Sequence, residues 1–277
     1  MSRWSTTTGL LLALFLTLLP SLPALAGDHP RIAIIIDDLG DNLVNGLRAV
    51  RLSGDVTCAF LPFAPYTKGL ARQAHFQDKE VMVHLPMDSL DDRHLGPGGL
   101  KVGMLRDRFI KVLRADLKAV PYATGINNHM GSLLTQLPEN MAWLMAELSH
   151  HPLYFVDSRT TNFTVAREYA RLSGIPSQKR DVFLDNVQTR PAVIRQLRKV
   201  LAIAKAKGHA LAIGHPYDVT LDLLEESLPR LAREEGVEIV PVSRLLEGGR
   251  RRPLPELDMA LAKTEIHAAP NAESISQ

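Results

Sequence analysis

The stretch "RIAIIIDDLG", residues 31–40, runs branched and small apolar residues into two adjacent carboxylates, Asp37 and Asp38, and then a glycine. A continuous apolar run of this length reads as a strand buried on both faces, the kind found in parallel sheets. Two like charges at its end repel each other and resist desolvation. Their presence calls for a compensator: water, hydrogen-bond donors, a shared proton or a cation.

Working outward, the same unit recurs along the chain. Strand-like runs such as "VTCAFLPF", "EVMVHLPM", "TGINNHM", "LYFVDS", "DVFLDN", "HALAIGHP" and "VEIVPVS" alternate with longer segments of helical apolar spacing, several of which end in Gly. About seven strand-helix units and no internal repeat predict one α/β domain over residues 30–248, a parallel sheet or barrel with both faces covered. In such folds ligands sit where the strands' carboxyl ends meet the loops to the helices. Asp37 and Asp38 therefore stand at the mouth of the sheet.

Other polar residues reach the same level. "VMVHLPMD" brings His84 with Asp88 four residues on, "GINNHMG" brings Asn127, Asn128 and His129, "YFVDSRTT" brings Asp157 and Arg159, and "LAIGHPY" brings His215. Mixed carboxylate and imidazole groups suit zinc or another divalent first-row metal, which would also neutralise the carboxylate pair. Asp38, His84 and His129 form one trio. His84 and Asp88 could instead supply two ligands from one turn, with Asp88 replacing His129. An open three-ligand site would polarise a carbonyl, with Asp37 accepting a proton as base and His215 protonating the leaving group, chemistry that hydrolyses an amide or ester without a diffusible cofactor. Asn127, Asn128, Asp157 and Arg159 are candidate substrate-binding residues. The alternatives are turn chemistry for the two asparagines and an ion pair between Asp157 and Arg159. Asp185 and Asn186 read as turn residues, and His75, His94, His150, His151 and His209 as surface residues outside the pattern.

The first residues, with Arg3, an apolar stretch from Gly9 to Leu19, and small residues at Ala24 and Ala26, have the layout of a secretory signal peptide over residues 1–26. That apolar stretch is short of the roughly 20 residues a spanning helix needs, so no membrane span is expected after cleavage. Cys58 is the only cysteine, which excludes an internal disulfide; an exported chain without bridges points to a bacterial periplasm or secretion from a bacterial cell. The formal charge of +2 is too balanced for nucleic-acid binding. From residue 249 onward the weak apolar content predicts a disordered tail.

In combination, "IAIIIDDLG", "VMVHLPMD", "GINNHMGS", "YFVDSRTT", "DVFLDN" and "AIGHPY" resemble the divergent polysaccharide deacetylases, the YibQ-like relatives of the NodB-homology carbohydrate esterases. The resemblance covers nearly the whole expected domain. It implies a distorted (β/α) barrel, a divalent metal near the strand ends and action on an acetylated glycan of the envelope or the extracellular space. By it, Asp37 matches the catalytic base, Asp38 the metal-binding aspartate, His84 the first metal histidine and His215 the histidine that assists the leaving group. Asp88 stands where the family's second metal histidine would be. A non-catalytic envelope protein that keeps the barrel and binds glycan or a protein partner is the competing expectation, and an aromatic content of 5% offers few ring platforms for a long polysaccharide.

Overall fold

The computed structural model describes residues 29–91 and 93–246; the expected signal peptide and disordered tail lie outside the described residues. The strands are β1 (Arg31–Leu39), β2 (Thr57–Phe60), β3 (Val81–Met87), β4 (Ala123–Met130), β5 (Tyr154–Asp157), β6 (Ser177–Lys179), β7 (Val182–Phe183), β8 (His209–Gly214) and β9 (Glu238–Ile239). The helices are α1 (Leu43–Val50), α2 (Thr67–Phe76), α3 (Arg106–Ala119), α4 (Pro138–Leu148), α5 (Ala166–Leu172), α6 (Arg190–Lys207), α7 (Asp218–Glu235) and α8 (Val242–Leu246). Every strand pair is parallel, and the order is β6-β5-β4-β3-β2-β1-β8-β7, with β9 beside the start of β1. The sheet is a distorted (β/α) barrel whose two edges, β6 and β7, are not hydrogen-bonded to each other. Arg180 and Asp181 link the two edges: the Arg180 N–H donates to Asp157 O at 3.0 Å and the Asp181 N–H to Leu211 O at 2.8 Å.

Strand alternation sorts the side chains into two cores. Ile32, Ile34 and Ile36 of β1 join the large layer between sheet and helices, with Cys58, Val83, Ile126 and Phe155. Ala33 and Ile35 face the lumen with Ala59, Met82, Val156, Leu211 and Ile213. The lumen is closed at its amino end by Val242 of α8, fully buried, whose N–H donates to Thr57 Oγ1 at 3.2 Å. Cys58 is completely buried and burial pushes its thiol up to about 12, which leaves it a core residue.

Two elements differ from the sequence reading. "VEIVPVS" predicts one strand, but only Glu238–Ile239 pairs, and the chain then turns into α8. Its apolar residues serve as a plug for the lumen, and Pro241 ends the ladder because it has no N–H to donate. Strand β6, "SQK", carries no apolar pattern, since it is a short, partly exposed edge.

Candidate metal centre

Alternation predicts that adjacent residues of a strand face opposite sides, so Asp37 and Asp38 should part company. Asp37 follows Ala33 and Ile35 into the lumen. Asp38 adopts φ 54°, the left-handed conformation that aspartate tolerates better than most residues, and the β1–β2 register shifts between Ile36 and Leu39. This bulge turns the second carboxylate back toward the same site. On the neighbouring strands His84 lies directly opposite Asn127, and Pro86 opposite His129, so both imidazoles arrive on the lumen face one step apart.

Three atoms converge there. Asp38 Oδ1 lies 2.9 Å from His129 Nδ1 and 3.1 Å from His84 Nε2, and the two ring nitrogens are 3.1 Å apart. Asp38 Oδ1 is buried and has no hydrogen-bond partner. His84 Nδ1 donates to Asn127 Oδ1 at 2.8 Å, while Asn127 Nδ2 donates to Asp37 Oδ1 at 2.7 Å. Because the amide oxygen can only accept, the proton of a neutral His84 sits on Nδ1 and Nε2 presents a lone pair to the cluster. Donors of one first-row cation, at about 2.0–2.1 Å from it, stand about 3.3 Å apart. The orphaned oxygen, the triangle of donors near that spacing and the nitrogen and oxygen donor set fit a divalent cation.

Two further groups flank the trio. Asp37 is 2 % exposed, and burial raises its pKa despite the opposing influence of His84, His215 and Asn127. Across the mouth, His215 Nε2 lies 3.8 Å from Asp38 Oδ2. Asp185 fixes this ring: its Oδ1 accepts from His215 Nδ1 at 2.9 Å, and its Oδ2 accepts from the His215 N–H at 2.6 Å and Thr220 Oγ1 at 2.8 Å. Gly214 permits this approach, because a Cβ there would meet Asp185 Oδ2 at 3.3 Å and Leu184 at 3.2 Å. Burial alone would lower the His215 pKa, but the bond to Asp185 and the charges of Asp38 and Asp37 outweigh it and raise it to about 9.

Not every residue expected at the site reaches the cluster. Asp88 stays outside it: its Oδ2 accepts from the Val102 N–H at 3.1 Å, and its carbonyl from the Leu133 and Leu134 N–H groups. His84 lies within an extended strand, so four residues on the chain has risen about 13 Å, whereas the one-turn pair would need a helix. Asn127 faces inward onto Asp37 and His84. Asn128 ties loops together, donating to Met130 O at 2.7 Å and accepting from the Ser158 N–H at 2.9 Å. The expected side-chain pair of Asp157 and Arg159 is replaced by a local turn. Asp157 Oδ1 accepts from the Arg159 backbone N–H and Oδ2 from Thr164 Oγ1, while the Arg159 guanidinium reaches Asn162. Asp185, expected as a turn residue, instead holds His215. Arg180 was not singled out in the sequence, where it sits in a polar stretch. It donates to the Ser158 and Arg159 carbonyls at 2.7 and 2.9 Å and covers the Phe183 ring at 4.8 Å.

The fold and site together are a parallel, incompletely closed (β/α) barrel with a carboxylate and two imidazoles gathered at the strands' carboxyl ends. Residues 34–246 match the model of the divergent polysaccharide deacetylase family, and the chain belongs to that family. It is 35% identical over 226 residues to the uncharacterized protein YibQ of Escherichia coli K12, covering 82% of this chain and 69% of that protein. It is 31% identical over 243 residues to an uncharacterized protein of Haemophilus influenzae, covering 88% and 85% respectively. Among solved structures, the uncharacterized protein ATU2773 of Agrobacterium tumefaciens shares the fold, with a TM-score of 0.75 at 23% identity over 78% of this chain and 89% of that one.

Proposed function

We propose that this protein is an exported, metal-dependent hydrolase that removes acetyl groups from an envelope or extracellular glycan. The observation that carries the reading is the orphaned Asp38 Oδ1 facing His84 Nε2 and His129 Nδ1, with a buried carboxylate on one side and a raised-pKa imidazole on the other. Asp38, His84 and His129 hold a divalent cation, zinc by the softness of its two imidazole donors. When bound, the cation supplies a Lewis acid for an ester or amide carbonyl.

The chain's own groups supply the proton chemistry. Asp37 Oδ1 is occupied by Asn127, which leaves Oδ2 to take a proton from water, and a carboxylate of raised pKa is the stronger base. His215, held through its Nδ1–H by Asp185 and with its pKa raised, supplies an Nε2 proton to the departing oxygen or nitrogen. Export rests on the layout of residues 1–26 and is checked by intact mass of the native protein.

The test joins two measurements. Elemental analysis is expected to find one divalent cation per chain, lost in His84→Ala and in His129→Ala. Acetate release from acetylated glycan is expected to fall at least about a hundredfold in Asp37→Asn while bound metal stays near stoichiometric, since removal of a general base costs about 10²–10⁴. Metal retained with no acetate released by either form would leave the non-catalytic envelope protein as the reading.

A further inference from the structure

Beside the trio lies a cleft of about 300 Å³, at the small end of ligand sites and fit for a single sugar unit more than a length of chain. Asp38 and His129 form its inner end, and three prolines, Pro62, Pro86 and Pro97, with Leu61 and Leu95 form stiff apolar walls. Two polar side chains complete it, Asp41 from the β1–α1 loop and His94 from the loop between β3 and α3. His94 Nδ1 accepts from the Gly96 N–H at 3.1 Å, so Nε2 is the ring's donor. A donor and a carboxylate acceptor on apolar walls are the groups that bind sugar hydroxyls.

The charge of this cleft is one-sided. Among the described residues, no lysine or arginine lines it. A divalent cation on the trio would be matched by Asp37 and Asp38, and Asp185 pairs with His215, whereas Asp41, among the described residues, takes part in no ion pair. We infer that the cleft selects an acetylated sugar that is itself uncharged, with Asp41 and His94 as the specificity-determining residues; this rests on the hydrolase reading only for the acetyl group. A carboxylate on the sugar would face Asp41, whose side chain is exposed, and at an effective dielectric of about 40, between protein surface and water, like charges about 6 Å apart cost roughly tenfold in affinity.

The probes are the methyl glycosides of N-acetylglucosamine and of its uronic acid, which differ only by the carboxylate at C6. Binding is followed by the NMR shift of the His94 ring in the metal-loaded protein, and turnover by acetate release. The neutral glycoside is expected to bind about tenfold more tightly than the uronate. Asp41→Lys is expected to erase or invert that ratio, and Asp41→Asn to narrow it while guarding against a folding effect of the larger change. Equal binding of the two sugars by the unaltered protein, an unchanged ratio in Asp41→Lys, or no shift of His94 with either sugar would overturn the inference. Acetate released from neither sugar, with the binding ratio intact, would sink the hydrolase reading on these sugars and leave the cleft assignment standing.

Discussion

At the scale of single residues, the site is governed by two side chains that hold the groups around them. Asn127 fixes the proton of His84 on Nδ1 and engages one oxygen of Asp37, so it sets a ligand and a base with one amide. Asn127→Leu keeps the volume and removes both bonds. Metal affinity is expected to fall about 10–100-fold, the usual effect of removing the partner that orients a ligating histidine, as measured by chelator competition. Asp185 does the same for His215, and its hydrogen bond is the largest of the influences that keep that ring protonated, ahead of the charges of Asp38 and Asp37. Because the His215 pKa is raised, the charged form is present below about pH 9 and lost above it. Asp185→Asn replaces a charge-assisted bond to Nδ1 by a weaker neutral one, so the NMR titration of His215 is expected to fall from about 9 toward the ordinary 6.5 without reaching it, since the charges of Asp38 and Asp37 remain. The alkaline limb of any activity profile should move with it. A titration left near 9 would mean that Asp38 and Asp37 alone hold the proton.

At the scale of elements, the wall of the cleft rests on an unusual support. The loop between β3 and α3 passes over Asp116 of α3, which is fully buried with neither carboxylate oxygen hydrogen-bonded. Gly98 makes this possible: its φ is +83°, and a Cβ there would stand 2.2 Å from Asp116 Oδ1. Burial pushes the Asp116 carboxyl up to about 8. An unfolded aspartate ionises near 3.9, so between these values the native state keeps a proton that the unfolded chain releases. The contribution to stability is therefore whole below about pH 4 and lost as the pH rises through 8. Asp116→Asn is expected to melt higher than the parent at pH 8, by about 2–4 °C for each kcal/mol recovered, and level with it at pH 4, by calorimetry. The sequence made the seven long helices and the strands' carboxyl-end residues legible, because apolar period and strand-end chemistry are local. Asp116 was not, since burial of a helical aspartate beneath a glycine loop leaves no mark in the helix's own pattern. The bulge at Asp38 was hidden for a related reason: two neighbouring aspartates facing one site requires a left-handed residue that the letters "DD" do not reveal.

At the scale of the whole molecule, the barrel is held together across its open side by the two-residue crossing between β6 and β7. A sheet whose edges do not pair must be stitched by other means, or the loops at its mouth lose their mutual positions. Arg180 supplies the stitch: its guanidinium donates to the Ser158 and Arg159 carbonyls of the β5–α5 loop while stacking on Phe183 of the opposite edge. That loop in turn reaches the centre of the site, for Asn128 Oδ1 accepts from the Ser158 N–H and Asn127 Nδ2 lies 3.4 Å from Ser158 Oγ. Nothing in "SQKRD" foretells this, because the carbonyl partners lie just after β5, which only the pairing of β5 with β6 brings alongside. Hydrogen bonds from a charged donor contribute about 1.5–3 kcal/mol each, and Arg180→Ala removes two, together with the ring contact, while admitting water to the carbonyls. We expect a loss of about 2–4 kcal/mol in urea unfolding. Amide exchange should quicken first at 157–165 and 180–187 and leave β1 and β3 protected, since those strands lie at the sheet's centre. Uniformly faster exchange across every strand would instead make Arg180 part of the global folding core and refute its role as a local stitch.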